Sequence, residues 1–304
     1  MNPIVGIGEL LWDIYPDGRK VAGGAPFNFA FHCHQLGHPA VIVSRVGDDA
    51  LGRELRVRVR ELGLSDEYIQ TDRNHPTGTV RVALDVGGQP SYTLSKNVAW
   101  DHVEWTTAAA DLTRRAVALN HGTLALRGKA TRGVAEKMSH RLRQRGGMTV
   151  YDVNLRENLD PDETAVFRSR WLKVNADELA PLMCRVGESI DDGVPVADER
   201  AMLEWLRRDT KRDDTVLMVT RGMAGAELFG KDFHHRERAP HVAVVDTVGA
   251  GDAFTAAMVC LHLEGRPLRD CARFANHYAA RVCEHQGATP RIDRAEVERA
   301  AFGS

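Results

Sequence analysis

The stretch Val244-Val245-Asp246-Thr247-Val248-Gly249-Ala250-Gly251-Asp252-Ala253-Phe254 passes from apolar residues through a run of small ones into a second apolar run. This pattern predicts a strand over Val242–Val245, a tight turn, and a helix over Asp252–Leu263. Small residues at Gly249, Ala250 and Gly251 let backbone N–H groups come close to an anion. They also lie at a helix N-terminus, where unsatisfied donors and the helix dipole favour negative charge. Asp252 would then stand beside the anion. From spacing alone, two readings of Asp252 stand: a helix N-cap, or a base aimed at a group held by the donors. No Gly-Lys-Ser/Thr follows, so the turn is not a P-loop.

Outward from this unit the same alternation repeats. Strands are predicted at Ile4–Ile7, Ala40–Arg45, Ala116–Asn120, Met148–Val153, Trp171–Val174 and Thr215–Val219. Helices are predicted at Asn28–Leu36, Leu51–Leu62, Lys129–Arg145, Pro161–Arg168, Asp177–Cys184 and Glu199–Arg208, and the chain from Gly251 onward reads as almost wholly helical. Such alternation implies an α/β fold, a doubly wound and mostly parallel sheet flanked by helices. One region breaks the rhythm. Thr79–Val86 alternates apolar and polar residues, and after Gly-Gly-Gln-Pro comes Ser91–Leu94. That is a β-hairpin buried on one side. With one or two strands from Leu10–Val21, it predicts a small β lid over residues 10–22 and 76–98 on a single domain spanning 1–304. An edge hairpin with no role is the other reading.

The 304 residues carry a formal net charge of −2, with 43% hydrophobic and 27% charged residues, enough for a large buried core. Nothing resembles the basic signature of a nucleic-acid binder, and the run Arg53–Arg60 reads as a solvated helix face. No apolar run reaches spanning length and the start has no basic leader, so no membrane partner and no secretory leader is expected. Five scattered cysteines without a Cys-x-x-Cys pair argue for reduced thiols and a cytoplasmic location. The histidines lack metal-ligand spacing, and His234-His235 reads as part of a charged loop. Gly6-Ile7-Gly8-Glu9-Leu10-Leu11 lacks the third glycine of a dinucleotide fingerprint.

Asp13 follows the first strand, where ligands enter doubly wound sheets. Its carboxylate can accept hydroxyl protons, the amide of Asn28 can donate and accept, and Gly23 and Gly24 leave room for a ring. Taken bare, Asp13 is equally a turn residue and Asn28 a helix cap.

The segment Asp246–Phe254 resembles the C-terminal signature of the PfkB (ribokinase-like) family of carbohydrate kinases. Gly23-Gly24-Ala25-Pro26-Phe27-Asn28 resembles its N-terminal signature, and the likeness runs through essentially the whole chain. It implies a ribokinase-like fold and an ATP-dependent sugar kinase in which Gly249, Ala250 and Gly251 form an anion hole and Asp252 is the catalytic base. It implies sugar contacts from Asp13, Gly23, Gly24 and Asn28. Asp152-Val153-Asn154-Leu155-Arg156 is similar to the Asp-Pro-Asn-x-Arg segment of fructokinase-like members, with valine for proline. Arg156 would reach the transferring phosphate, unless it is a surface arginine in a salt bridge. Asn175-Ala176-Asp177-Glu178 resembles the family's Asn-x-x-Glu motif. Glu178 is then the magnesium-linked residue, through water, with a helix cap as the plain alternative. Thr220, Gly222, Gly225, Asn175 and Asn276 would border the nucleotide, and Asp246 and Val248 flank a monovalent-cation site, usually potassium.

Gly8–Gly18, Gly23–Ala30 and His121–Leu126 look most like fructokinase-type members. Ribose, 2-keto-3-deoxygluconate or a nucleoside are other substrates the family takes, and a non-catalytic sugar sensor of the same fold is a rival outside enzymes. His121 lies near the sugar pocket on this reading. The expected partners are a small sugar and ATP, with a homodimer through the lid as the arrangement the resemblance admits.

Overall fold

The computed structural model describes residues 2–303 except 85–89, 156–158, 160–161, 189–198 and 211–213. In its first part come β1 (Ile4–Ile7), β2 (Leu11–Ile14), β3 (Lys20–Gly23), α1 (Ala25–Gln35), β4 (Ala40–Gly47), α2 (Ala50–Glu61) and β5 (Ile69–Asp72). There follow β6 (Gly78–Leu84), β7 (Pro90–Leu94), α3 (Thr107–Arg115), β8 (Ala118–Gly122), α4 (Lys129–Gln144), β9 (Met148–Asp152), α5 (Glu163–Arg168) and β10 (Trp171–Asn175). The last part holds α6 (Ala176–Glu188), α7 (Glu199–Thr210), β11 (Val216–Thr220), β12 (Ala226–Gly230), β13 (Phe233–Glu237), α8 (Ala250–Leu263), α9 (Leu268–Cys283) and α10 (Arg294–Phe302).

The main sheet has nine strands in the order β13-β12-β11-β10-β9-β8-β1-β4-β5, parallel from β11 to β5 and closed at one edge by the antiparallel pair β12 and β13. Strand side chains alternate between its faces. Ala118, Val150 and Trp171 pack with residues of α1, α8 and α9. Their neighbours Leu119, Tyr151 and Leu172 pack with residues of α3 to α7 on the other face. Helices therefore cover both faces, as buried parallel strands require.

A second sheet of four strands runs β3-β2-β6-β7, with β2 parallel to β6 and the outer pairs antiparallel. It contains the expected hairpin, whose turn at 85–89 lies outside the described residues. Trp12 of β2 is buried and donates from Nε1 to Leu51 O at the start of α2, which ties this sheet to the main one.

Two readings are corrected. Val242–Val245 is not a strand: Val244 and Val245 are exposed, and the Val245 and Asp246 N–H groups donate to Cys283 O at the end of α9. The antiparallel pair β12 and β13 extends the sheet instead. His234 and His235 lie within β13, not in a loop. A charged outermost strand discourages further pairing. Strands β5, β12 and β13 and helix α3 had no counterpart among the expected elements. Among the described residues no helix is long and apolar enough to cross a membrane.

Candidate active site

The turn before α8 brings the candidate base to the C-terminal ends of the parallel strands. Gly249 is the N-cap residue of α8, in the left-handed region at φ 79°, and makes no side-chain cap. Asp252 is the third residue inside the helix. It is therefore not the cap residue.

That carboxylate meets the opposite end of the chain. Asn28 Nδ2 donates to Asp252 Oδ2 over 2.8 Å, across 224 residues of sequence. Asn28 also lies inside its helix, in the first turn of α1 behind Gly24 and Pro26, and not at the cap. Its side chain is buried, and its Oδ1 has no hydrogen-bond partner. Gly24 makes the entry to α1 possible. It sits at φ 121°, and a Cβ there would fall 2.2 Å from Glu9 O. Asp13 lies within β2 rather than in a turn, and its Oδ2 is 2.7 Å from where a Cβ on Gly23 would stand. Asp13 and Gly23 are therefore diagonal neighbours on one face of the β2–β3 pair, close to the entry of α1.

On the sheet beneath α8, Asp152 ends β9 and Lys173 sits in the middle of β10, paired in register. Lys173 Nζ lies 3.0 Å from Asp152 Oδ1, and Thr255 of α8 donates to Asp152 Oδ2 over 3.1 Å. Both charged side chains are buried. Burial alone would lower the Lys173 pKa, but Asp152, Glu178 and Asp252 outweigh it and hold it above the ordinary lysine value. Val153, where proline was the pattern, donates its N–H to Lys173 O over 2.9 Å, a bond proline cannot make. Asn154 follows in the left-handed region at φ 39°. Arg156 lies outside the described residues.

The Asn175–Glu178 segment is a reciprocal cap. Asn175 Oδ1 accepts from the N–H groups of Asp177 and Glu178, and Glu178 Oε2 accepts from Asn175 N–H. Glu178 Oε1 accepts from Leu155 N–H, and burial raises the pKa of this carboxyl despite the opposing pull of Lys173. Asp246 bridges the N–H groups of Val248 and Gly287 with its two oxygens, which fixes the loop before the turn. Thr220 ends β11, and Gly222 and Gly225 form the tight turn into β12. Asn276 is buried in α9 and donates to Ala272 O of its own helix.

His121 is placed away from this group. It is buried against Tyr151 on the face covered by α3 to α7, and its pKa is lowered to about 4 by burial. Strand alternation instead turns Asn120 to the α8 face, where its Nδ2 is buried without a partner. Asn120 and Lys173 are not among the site residues expected from the sequence. A lysine flanked by apolar residues in Trp171–Asn175 was the available signal, since lysine is almost never fully buried unless paired.

Both signature segments thus converge on one carboxylate at a helix N-terminus, and residues 14–294 match the profile described as pfkB family carbohydrate kinase. The chain belongs to the pfkB family of carbohydrate kinases. It is a sugar kinase. Among its relatives, the probable fructokinase-3 of Arabidopsis thaliana is 29% identical over 322 residues, covering 98% of this chain and 90% of that protein. Two solved structures share the fold. The fructokinase with bound ATP from Xylella fastidiosa has a TM-score of 0.83 at 21% identity over 98% of each chain. The Arabidopsis thaliana ribokinase complexed with ribose and ATP has a TM-score of 0.82 at 23% identity over 100% of each chain.

Proposed function

We propose that this pfkB-family sugar kinase transfers the γ-phosphoryl group of ATP to a hydroxyl of D-fructose, with Asp252 as the general base. The observation that carries the reading is the Asn28–Asp252 hydrogen bond, which joins the sugar-side residues to the start of α8. Asn28 Oδ1 and Asn120 Nδ2, an acceptor and a donor both buried without partners, suit a polyhydroxylated substrate that can donate to one and accept from the other. Asp13, Gly23 and Gly24 complete the sugar end, and the four-stranded sheet that carries Asp13 acts as the lid. The relative named as a probable fructokinase supports fructose. The fold alone does not distinguish sugars, since it is matched equally well by a ribokinase.

In this mechanism the sugar hydroxyl gives its proton to Asp252 as its oxygen attacks the γ-phosphorus, and the bond to ADP breaks on the far side. The first N–H groups of α8, around Gly249, Ala250 and Gly251, lie where a helix leaves donors without intrahelical partners and can hold the transferred group. Thr220, Gly222, Gly225 and Asn276 would line the nucleotide end, and Arg156 would meet the phosphates. Among the described residues no cluster of three or more His, Cys, Asp or Glu side chains is gathered for a metal. One carboxylate with water and nucleotide phosphates fits magnesium's preference for oxygen ligands. Glu178, whose oxygens accept from the N–H groups of Leu155 and Asn175, would hold Mg²⁺ through water, and the ion would offset phosphate charge. Asp246 and Val248 are the proposed potassium site.

A coupled ADP-release assay over fructose, ribose, 2-keto-3-deoxygluconate and nucleosides tests the reading. Fructose should give the highest kcat/KM. Preference for another member of the panel would replace the substrate, and no sugar-dependent ADP release at all would sink the catalytic reading in favour of a sugar sensor.

A further inference from the structure

Lys173 has no part in the reaction as argued so far, yet its position is unusual. Its ammonium is buried and held from below by Asp152, which Thr255 of α8 in turn engages. Above it lies the turn of the anion hole: a Cβ on Gly251 would stand 2.9 Å from Lys173 Nζ. Any side chain at Gly251 would crowd the ammonium, so glycine lets the start of α8 lie against it. The backbone of β10 is fixed at this point by the Val153 N–H donating to Lys173 O, so the register of Lys173 over Asp152 is set on both sides of the side chain.

The charges nearby give the arrangement a purpose. Asp152, Glu178 and Asp252 all act on Lys173. A phosphoryl group arriving at the N–H groups of α8 enters this set of carboxylates, and without a cation they would repel it. A fixed charge in a buried site acts more strongly than one in water and needs no reorganisation when the reaction occurs.

Resting on the phosphoryl-transfer reading above, we infer that Lys173 is a positioning and electrostatic residue of the reaction, the fixed cation that favours negative charge at the Gly249–Gly251 turn. Lys173 neither gains nor loses a proton. The hydroxyl oxygen bonds to the γ-phosphorus, the bond from phosphorus to the ADP oxygen breaks with its electron pair going to ADP, and the hydroxyl proton goes to Asp252. Lys173 lowers the energy of the charge that gathers on the transferred oxygens.

A plain structural role, neutralising Asp152 in the interior, makes a different prediction. Lys173→Met alone would leave Asp152 buried without its cation and could unfold the chain. The informative protein is therefore the double variant Asp152→Asn/Lys173→Met, which removes both charges at similar volume. Its thermal unfolding and ADP affinity should stay close to wild type. Its kcat with the preferred sugar should fall by about two orders of magnitude, the scale for losing one preorganised transition-state contact. ADP with aluminium fluoride and sugar, a mimic of the transferring phosphoryl group, should bind tightly to wild type and lose that tightness in the double variant. A folded double variant with wild-type turnover and wild-type binding of the mimic would reduce Lys173 to a structural counterion. A wild-type protein that releases no ADP with any sugar of the panel would instead overturn the kinase reading on which this inference rests.

Discussion

Replacing Asn28 by alanine removes the donor that reaches Asp252 Oδ2 over 2.8 Å from a side chain only 5% exposed. A hydrogen bond to a charged acceptor is worth about 1.5–3 kcal/mol. At about 1.4 kcal/mol per decade, kcat/KM for the sugar should fall by roughly one to two decades. If the loss passes through the ionised carboxylate, it must shrink when Asp252 is already asparagine. The amide oxygen of that variant can still accept from Asn28, but a bond between neutral groups is worth only about 0.5–1.5 kcal/mol. Any contact between Asn28 Oδ1 and a sugar hydroxyl is lost in both backgrounds and cancels. Wild type, the two single variants and the double variant, compared by coupled ADP release at saturating ATP, form a double-mutant cycle. We expect a coupling of about 1 kcal/mol or more, the range typical of residues in contact. Additive losses would show that Asn28 acts on the sugar alone and that its bond to Asp252 has no part in catalysis.

Asp252→Asn by itself should lower kcat by roughly two to four orders of magnitude while ATP binding, measured by calorimetry, is kept. Glu178→Gln should raise the magnesium concentration for half-maximal activity. It should also lower thermal stability by about 1–3 kcal/mol, because one of the two N–H groups held by the carboxylate would face an amide donor. Asp13→Ala should raise the sugar requirement by roughly one to two decades with ATP affinity unchanged, and, with the four-stranded sheet as the proposed lid, fructose should slow amide exchange in β6 and β7. His32 and His121 are held neutral by burial, each lowered from 6.5 to about 4. The unfolded chain therefore binds more protons between these values. Stability is fully present above pH 6.5 and is lost as the pH falls toward 4, by on the order of 3 kcal/mol per histidine. Denaturant melts at pH 7.5 and 5 that superimpose would refute this.

The periodic elements were legible because parallel strands buried on both faces leave continuous apolar runs: β1, β9 and β10 lie within a residue or two of their expected positions. The same signal misled at Val242–Val245, where Val244 and Val245 are exposed and no strand forms. It was too weak for β13, where Phe233-His234-His235-Arg236-Glu237 alternates in exposure but hardly in polarity. The motif residues were legible as a set, yet their alternatives were not separable without coordinates. Asp252 and Asn28 prove to be interior helix positions, whereas Asn175 and Glu178 do form the cap that the plain reading allowed. His121 and Asn120 differ only in strand parity, and parity depends on where β8 begins. Lys173 needed the register of β9 and β10 beneath α8, which no local pattern contains.

The 224-residue separation of Asn28 and Asp252 also sets a schedule during synthesis. At about 5–20 residues per second, α1 leaves the ribosome roughly 11 to 45 s before the start of α8. Throughout that interval Phe27, Phe29 and Phe31, all buried in the finished protein, lack the C-terminal helices α8 and α9 that share their core cluster. A nascent chain in this state is a natural client for chaperones. Chains truncated before Ala250 should be recovered bound to them or aggregated, and recovery of such a fragment as a soluble, cooperatively folding species would refute the schedule. On the proposed mechanism the placement also delays catalysis: a partly made chain would not turn over ATP, because Asp252, the proposed base, arrives with the last fifth of the sequence.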